Sequence, residues 1–361
     1  MKPSAKKSGN PSLTTHPNGA GGTASRAVFF SGADSNPAPP FQPDAPWLAP
    51  MAGYSDLPFR LLCRRYGAAA AVSEMVSAKG LVMRQPGTNK LLDTCPEDSP
   101  LVVQLFGVEP EVLAEAVRIL RDRGFRLFDL NAGCPVRKVA KTGAGAALLK
   151  DMDQLVRIVE AMAEAAGDCR VGVKLRPGFE TNDVQAVENA PRLESAGASW
   201  LAFHPRFGKQ MFSGTAHMEL LAAFKSRTCL PVVGSGDLFS AQAGAYMIRS
   251  TGVESVMYAR GALADPAVFL RHVALVRGEA APQGLPGPAE MIREHIALAR
   301  GFEDSERTLR RMRSIVPRYI RELHGAKTLR QRLTRCENFA ELDEAIDEIE
   351  AIQGAAVPGN G

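Results

Sequence analysis

Phe128-Asp129-Leu130-Asn131-Ala132-Gly133-Cys134-Pro135 is the stretch around which the chain is organised. A short apolar run ends in Asp-Leu-Asn, breaks at glycine, and is followed at once by a cysteine that a proline locks in place. Small, polar and reactive residues gathered just past a strand end suggest a site. A strand-to-loop turn with an incidental cysteine would read the same way in isolation, so the surroundings have to decide.

Working outward, strand-like runs fall at 47–52, 69–74, 101–106, 127–131, 170–175, 200–204, 230–234 and 255–258. Amphipathic stretches lie between them. Residues 110–123 place Val112, Leu113, Ala116, Val117 and Leu120 at helical spacing, and 153–165 repeat the pattern with Leu155, Val156, Ile158, Val159 and Met162. Shorter versions occupy 183–195 and 241–250. Eight β-then-α beats over about 220 residues have the size and rhythm of a (β/α)8 TIM barrel, an α/β fold. A doubly wound sheet is the rival, but no G-x-G-x-x-G opens the first helix.

A barrel places function just past the C-terminal ends of its strands. Those ends read Pro50-Met51-Ala52-Gly53, Gln104, Asn131 to Cys134, Lys174-Leu175-Arg176, His204-Pro205-Arg206, Gly234-Ser235-Gly236-Asp237 and Ala259-Arg260-Gly261. Gly234-Ser235-Gly236 and Arg260-Gly261 suit a phosphate, because glycine lets backbone N–H groups approach closely; two tight turns would need glycine as well. Lys174 would place a fixed cation inside the mouth, where it can stabilise a developing anion, unless it snorkels to the surface. His204 could donate to the same ligand or be an ordinary buried histidine. Gln104 offers a donor and an acceptor to a heteroaromatic ring edge, and Met51 a polarizable surface to a ring face or to ordinary packing.

Composition narrows the class. The hydrophobic share of 45% and charged share of 23% are those of a soluble globular protein, and the net charge of +4 leaves any nucleic-acid argument to local clustering. Six scattered cysteines with no C-x-x-C pair argue against a zinc site or other metal centre and against a disulfide framework, and favour a reducing compartment. No apolar run reaches the ~18–20 residues that span a bilayer. Residues 1–45 are basic at the start, polar, and rich in Gly, Pro and Ser, so they are expected to be a disordered tail of a cytoplasmic protein. A secretion signal is the alternative, but no apolar core follows the basic start.

The strand ends resemble the tRNA-dihydrouridine synthase family. Ala49-Pro50-Met51-Ala52-Gly53-Tyr54-Ser55-Asp56-Leu57-Pro58-Phe59-Arg60 is similar to its opening motif. Ser73-Glu74-Met75, Val103-Gln104-Leu105-Phe106-Gly107, Asp129 to Pro135, Val173-Lys174-Leu175-Arg176 and Gly236-Asp237 also fall where the family has theirs. The resemblance implies an FMN-dependent oxidoreductase that reduces the 5,6 double bond of uridines in tRNA, with NADPH (or NADH) as reductant. Pro50, Met51 and Ala52 would line the flavin, Gln104 and Lys174 would contact its ring system, and His204 would lie close by. Ser235, Gly236, Asp237, Ala259 and Arg260 would hold the phosphate end. Cys134 would be the general acid, protonating carbon 5 after hydride reaches carbon 6. The chain departs from the family at Ser235, Ala259 and the run His204-Pro205-Arg206-Phe207-Gly208, where the family often has a second arginine.

The implied domains are a barrel over 46–280, a linker at 281–288, a helical tRNA-binding domain at 289–352 and a flexible end at 353–361. Residues 309–323 read as one helix. Between 307 and 335 stand ten basic residues against the single acid Glu322, a local field suited to an RNA backbone. Arg310, Arg311 and Arg313, with Arg137 and Lys138 beside the cysteine, are the RNA-contact candidates. Acids from Glu337 to Glu350 could pair with this patch and mute it. The expected protein is a monomer. Two alternatives stand beside this reading: an FMN barrel reductase acting on a small pyrimidine or enone, and an RNA-binding barrel without chemistry.

Overall fold

The computed structural model describes residues 39–321, 323 and 326–355. The expected tail over 1–38 lies outside them, as do the last six residues. Residues 39–45, expected as part of the tail, pack under the barrel: the Phe41 ring lies tilted against Trp47 and Trp200, and the Trp47 indole N–H donates to Pro40 O.

Nine strands are present among the described residues: β1 (Trp47–Leu48), β2 (Ala70–Val72), β3 (Val76–Ser77), β4 (Leu101–Phe106), β5 (Leu127–Ala132), β6 (Arg170–Leu175), β7 (Trp200–Phe203), β8 (Val232–Ser235) and β9 (Ser255–Tyr258). All pair in parallel, and the sheet closes because β1 pairs with both β9 and β2 while β2 and β3 both pair with β4. β2 and β3 are therefore one stave interrupted at Ser73–Met75, and the barrel has eight staves with helices between them. Proline trims the expected strands. Pro50 stops β1 early, Pro205 ends β7, and Pro231 delays β8, since proline gives no N–H to a ladder. The helix expected over 183–195 is two, Gln185–Glu188 and Ala190–Ser195, with Pro191 opening the second.

Beyond the barrel, a helix begins at Pro288 and runs to Phe302, followed by Glu306–Ile315, a short turn at Val316–Arg318, Ala326–Leu333 and Phe339–Ala355. Pro317 breaks the single helix expected over 309–323. Helix Pro288–Phe302 docks on barrel helix Leu57–Arg65: Tyr66 and Arg65 both donate to Glu294, and Phe59 packs on the His295 ring. Among the described residues no helix is long and apolar enough to cross a membrane.

Candidate active site

Alternation along the strands sends every second residue into the barrel. The lower half is sealed by Trp47, Trp200, Val102, Leu127, Val233 and Met257. Trp200 lies beside Gly172 in register, and a Cβ on that glycine would sit 2.0 Å from the indole, so the missing side chain makes the room. One repeat further up the same strands, the inward residues turn polar: Gln104, Asp129, Asn131, Lys174, His204 and Ser235.

These residues form one network. Gln104 Nε2 donates to Asp129 Oδ2 (2.7 Å) and its Oε1 accepts from Asn131 Nδ2 (2.8 Å). Asn131 Oδ1 then accepts from the backbone N–H groups of Gly133 and Cys134 (3.2 and 2.9 Å). Asn131 and Lys174 are register partners on β5 and β6, which places the cysteine loop next to the lysine. Burial pushes the Asp129 carboxyl up, with Gln104 and Lys174 opposing; burial pushes Lys174 down, helped by Arg176.

The cysteine loop is held from the far side too. Ala146 N–H donates to Cys134 O, and Gly145 lies against that same carbonyl with φ +63; a Cβ there would come within 2.5 Å of it. The glycine-rich run after the cysteine is thus the packing surface for its loop. Cys134 itself is half-buried.

Opposite stands a cationic wall. Arg206 is buried and donates to Asp237 Oδ2 (2.6 Å) and Gly214 O (2.7 Å); Arg176 is buried and donates to Phe207 O and Met211 O. Arg260 reaches Asp237 Oδ1 at 3.3 Å and lies over the rings of Phe212 and Phe239. Burial, and then Arg206, lowers Arg176 to about 10. Burial and the surrounding Lys174, Arg176, Arg206 and Arg260 hold His204 well below the usual histidine range, so it is neutral. Gly236 has φ +117, and a Cβ on it would press the His204 ring at 2.9 Å. Lys174, Arg176, Arg206 and Arg260 stand against two acids, Asp129 and Asp237, and this excess of positive charge, of which Arg176 and Arg206 are buried and Arg260 is exposed, fits an anionic ligand.

All of this surrounds one cavity of about 500 Å³, a size usual for small-molecule sites. Every expected cofactor residue lines it: Pro50, Met51, Ala52, Gln104, Lys174, His204, Ser235, Gly236, Asp237, Ala259 and Arg260, with Cys134 at its edge. The set fits an aromatic cofactor ending in phosphate: apolar faces from Met51 and Met257, amide and ammonium groups along one edge, and the cationic wall at the far end. Asp237 has partners of its own in the wall. Burial works against its carboxylate, but Arg206 and the Ala216 N–H keep it ionised, so its side chain braces the turn and would repel a phosphate. Sequence reasoning passed over Arg176, Arg206 and Asn131 as site residues although they stand at strand ends. It had no signal for Phe212 or Phe239, and Arg318 stood out only as one of the ten basic residues between 307 and 335.

The RNA candidates separate. Arg137, Lys138 and Arg310 are exposed, the first two on a short helix just outside the cysteine. Arg311 is engaged instead with Asp56 and Glu74 on the barrel, and Arg313 donates to Cys336 O. A second cavity of about 450 Å³ is lined by Arg313, Arg318, Arg321 and Arg330, and Arg318 also lines the first. The downstream acids take Arg332, through Glu344 and Glu348, and leave these four to face the cavity.

A closed parallel barrel with a polar, cation-rich cavity at the C-terminal ends of its strands defines a (β/α)8-barrel enzyme. A sequence model described as Dihydrouridine synthase (Dus) matches residues 47–356. The chain belongs to that family. It is 35% identical over 293 residues to tRNA-dihydrouridine synthase B of Pseudomonas aeruginosa, covering 81% of this chain and 88% of that one. It is 32% identical over 312 residues to the Vibrio vulnificus protein of the same name, covering 85% and 94%. Among solved structures it is similar to a morphinone reductase variant, at 14% identity and a TM-score of 0.47, covering 68% and 90%.

Proposed function

We propose that this chain reduces the 5,6 double bond of uridines in tRNA, with FMN held in the barrel mouth and NADPH or NADH as electron source. The observation that carries the reading is the pairing of the cation-walled cavity with a cysteine whose backbone is held at its edge by Asn131. FMN, when bound, supplies the hydride. The protein's own residues do the rest. Gln104 is oriented by Asp129 and Asn131, so its amide presents a fixed hydrogen-bonding edge. Lys174 keeps positive charge where electron density would build. Arg176, Arg206 and Arg260 supply the field for the phosphate. The net reaction adds hydride at carbon 6 and a proton at carbon 5; Cys134 Sγ gives up the proton as a general acid and regains one from solvent.

The target base must leave its stack to enter the mouth. Arg318 and Tyr54 stand at the rim, and the arginine-lined second cavity extends that rim across the helical domain. The test is a visible spectrum of the purified protein, followed by incubation with NADPH and unmodified tRNA and mapping of dihydrouridine by position. A flavin spectrum with dihydrouridine at defined positions is expected. A flavin spectrum without dihydrouridine, together with NADPH oxidation driven by a small enone, would overturn the tRNA reading.

A further inference from the structure

The loop over residues 50–56 makes one wall of the cavity through Pro50, Met51, Ala52 and Tyr54. What braces this wall from behind belongs to the other domain. Gly53 N–H donates to Glu74 Oε2 (2.7 Å), and Glu74 stands in the break between β2 and β3. The other oxygen of Glu74 accepts from Arg311, on helix Glu306–Ile315. Arg311 Nε also lies 2.8 Å from Asp56 Oδ2, close enough for the charges to attract although off-line for a hydrogen bond. Asp56 in turn caps helix Leu57–Arg65 at Phe59 N–H. One guanidinium thus sits between the two carboxylates that anchor the middle and the end of the loop.

The surroundings make that position matter. The side chains of Asp56 and Glu74 are 13% and 11% exposed. Two nearly buried carboxylates repel unless a cation separates them, and one planar fork can serve both where a lysine serves one. Seven residues on, Arg318 donates to Tyr54 Oη (3.0 Å) and covers its ring. Among the described residues, the bridges from Arg65 and Tyr66 to Glu294 and from Lys90 to Glu303 join the domains at residues that do not line the cavity.

We infer that Arg311 is a positioning residue of the cofactor site: by holding Glu74 and Asp56 it sets the 50–56 wall, so the pocket is complete only with the helical domain docked. The inference rests on the flavin reading above.

The test titrates FMN into cofactor-free, full-length protein and follows deuterium exchange over residues 50–56 in the same preparations. Arg311→Ala is expected to raise the FMN Kd about tenfold, the size of one lost charge-assisted contact, and to speed exchange of the loop. Arg311→Lys should recover part of both. Glu294→Gln, which weakens an outer bridge, should lower the melting temperature while leaving FMN affinity and loop exchange unchanged. Wild-type affinity and loop exchange in Arg311→Ala, or an equal loss in Glu294→Gln, would overturn the inference. If Arg311→Ala does not fold, the lysine variant decides through the same two readouts. If the wild type binds no FMN, the flavin reading fails, and loop exchange alone still decides whether Arg311 holds the wall.

Discussion

The two halves of the barrel interior are built by the same strands on the same alternation, yet they have opposite chemistry. Below, Trp47, Trp200, Leu127 and Val233 fill the space, and Gly172 is there because it occupies none. Above, Gln104, Asp129 and Asn131 satisfy one another, and Lys174 and His204 join Gln104 and Asn131 in lining a cavity. The floor gains stability from burial. The mouth gives some up: burial lowers the pKa of Lys174, Arg176 and His204, helped by Arg176 at Lys174, by Arg206 at Arg176 and by the surrounding cations at His204, which alone becomes neutral. Function is concentrated where the interior stops being packed, and the contrast can be tested by changing each half separately.

The largest separation comes from Cys134→Ala. Turnover on unmodified tRNA should fall about 10²–10⁴-fold, the usual share of a general acid, with the flavin spectrum and melting temperature retained. Near-normal turnover would remove the thiol from the mechanism. The mirror experiment is Gly172→Ala in the floor. Its new Cβ meets the Trp200 ring at 2.0 Å, so urea unfolding should show a loss of about 1–3 kcal/mol while FMN affinity of the folded protein holds. If affinity falls with stability, floor and mouth are not separable.

The smallest effect concerns pH. His204 is neutral when folded but takes a proton near 6.5 when unfolded. Its contribution to stability is therefore present above that value and lost as pH falls through it, because acid favours the unfolded chain. Its ring resonances should show no inflection between pH 5 and 7 in the native protein. A midpoint in that range would mean the cationic wall is more open to solvent than its burial implies.

The ring of strand ends was legible because proline, glycine and polar residues fall at one end of each apolar run, and the alternation then orients them. Pro50, Gln104, Lys174 and Arg260 all reached the same cavity on that reasoning. The β2–β3 break was not legible, because Ser73-Glu74-Met75 continues an extended stretch, and the bonds made there, from Ser73 Oγ to Glu74 O and from Gly53 and Arg311 to the Glu74 carboxylate, come from the fold. The engagement of Arg311 with the barrel was not legible for a related reason. Its neighbours in sequence are arginines on an exposed-looking helix, while its partners lie 237 and 255 residues earlier at Glu74 and Asp56.

Periodicity and the placement of proline and glycine are local properties, since a strand or helix reads only a few residues either way. The sequence by itself therefore determined the barrel, the end that carries the site, and the residues offered there. Charge pairing is not local. Which arginines brace and which face a cavity depends on what the docked helical domain brings within about 3 Å, where a charge-assisted contact gains most of its strength. Only the tertiary structure decided that Arg206 braces Asp237, that Arg311 braces the cavity wall, and that Arg318 stands at its rim.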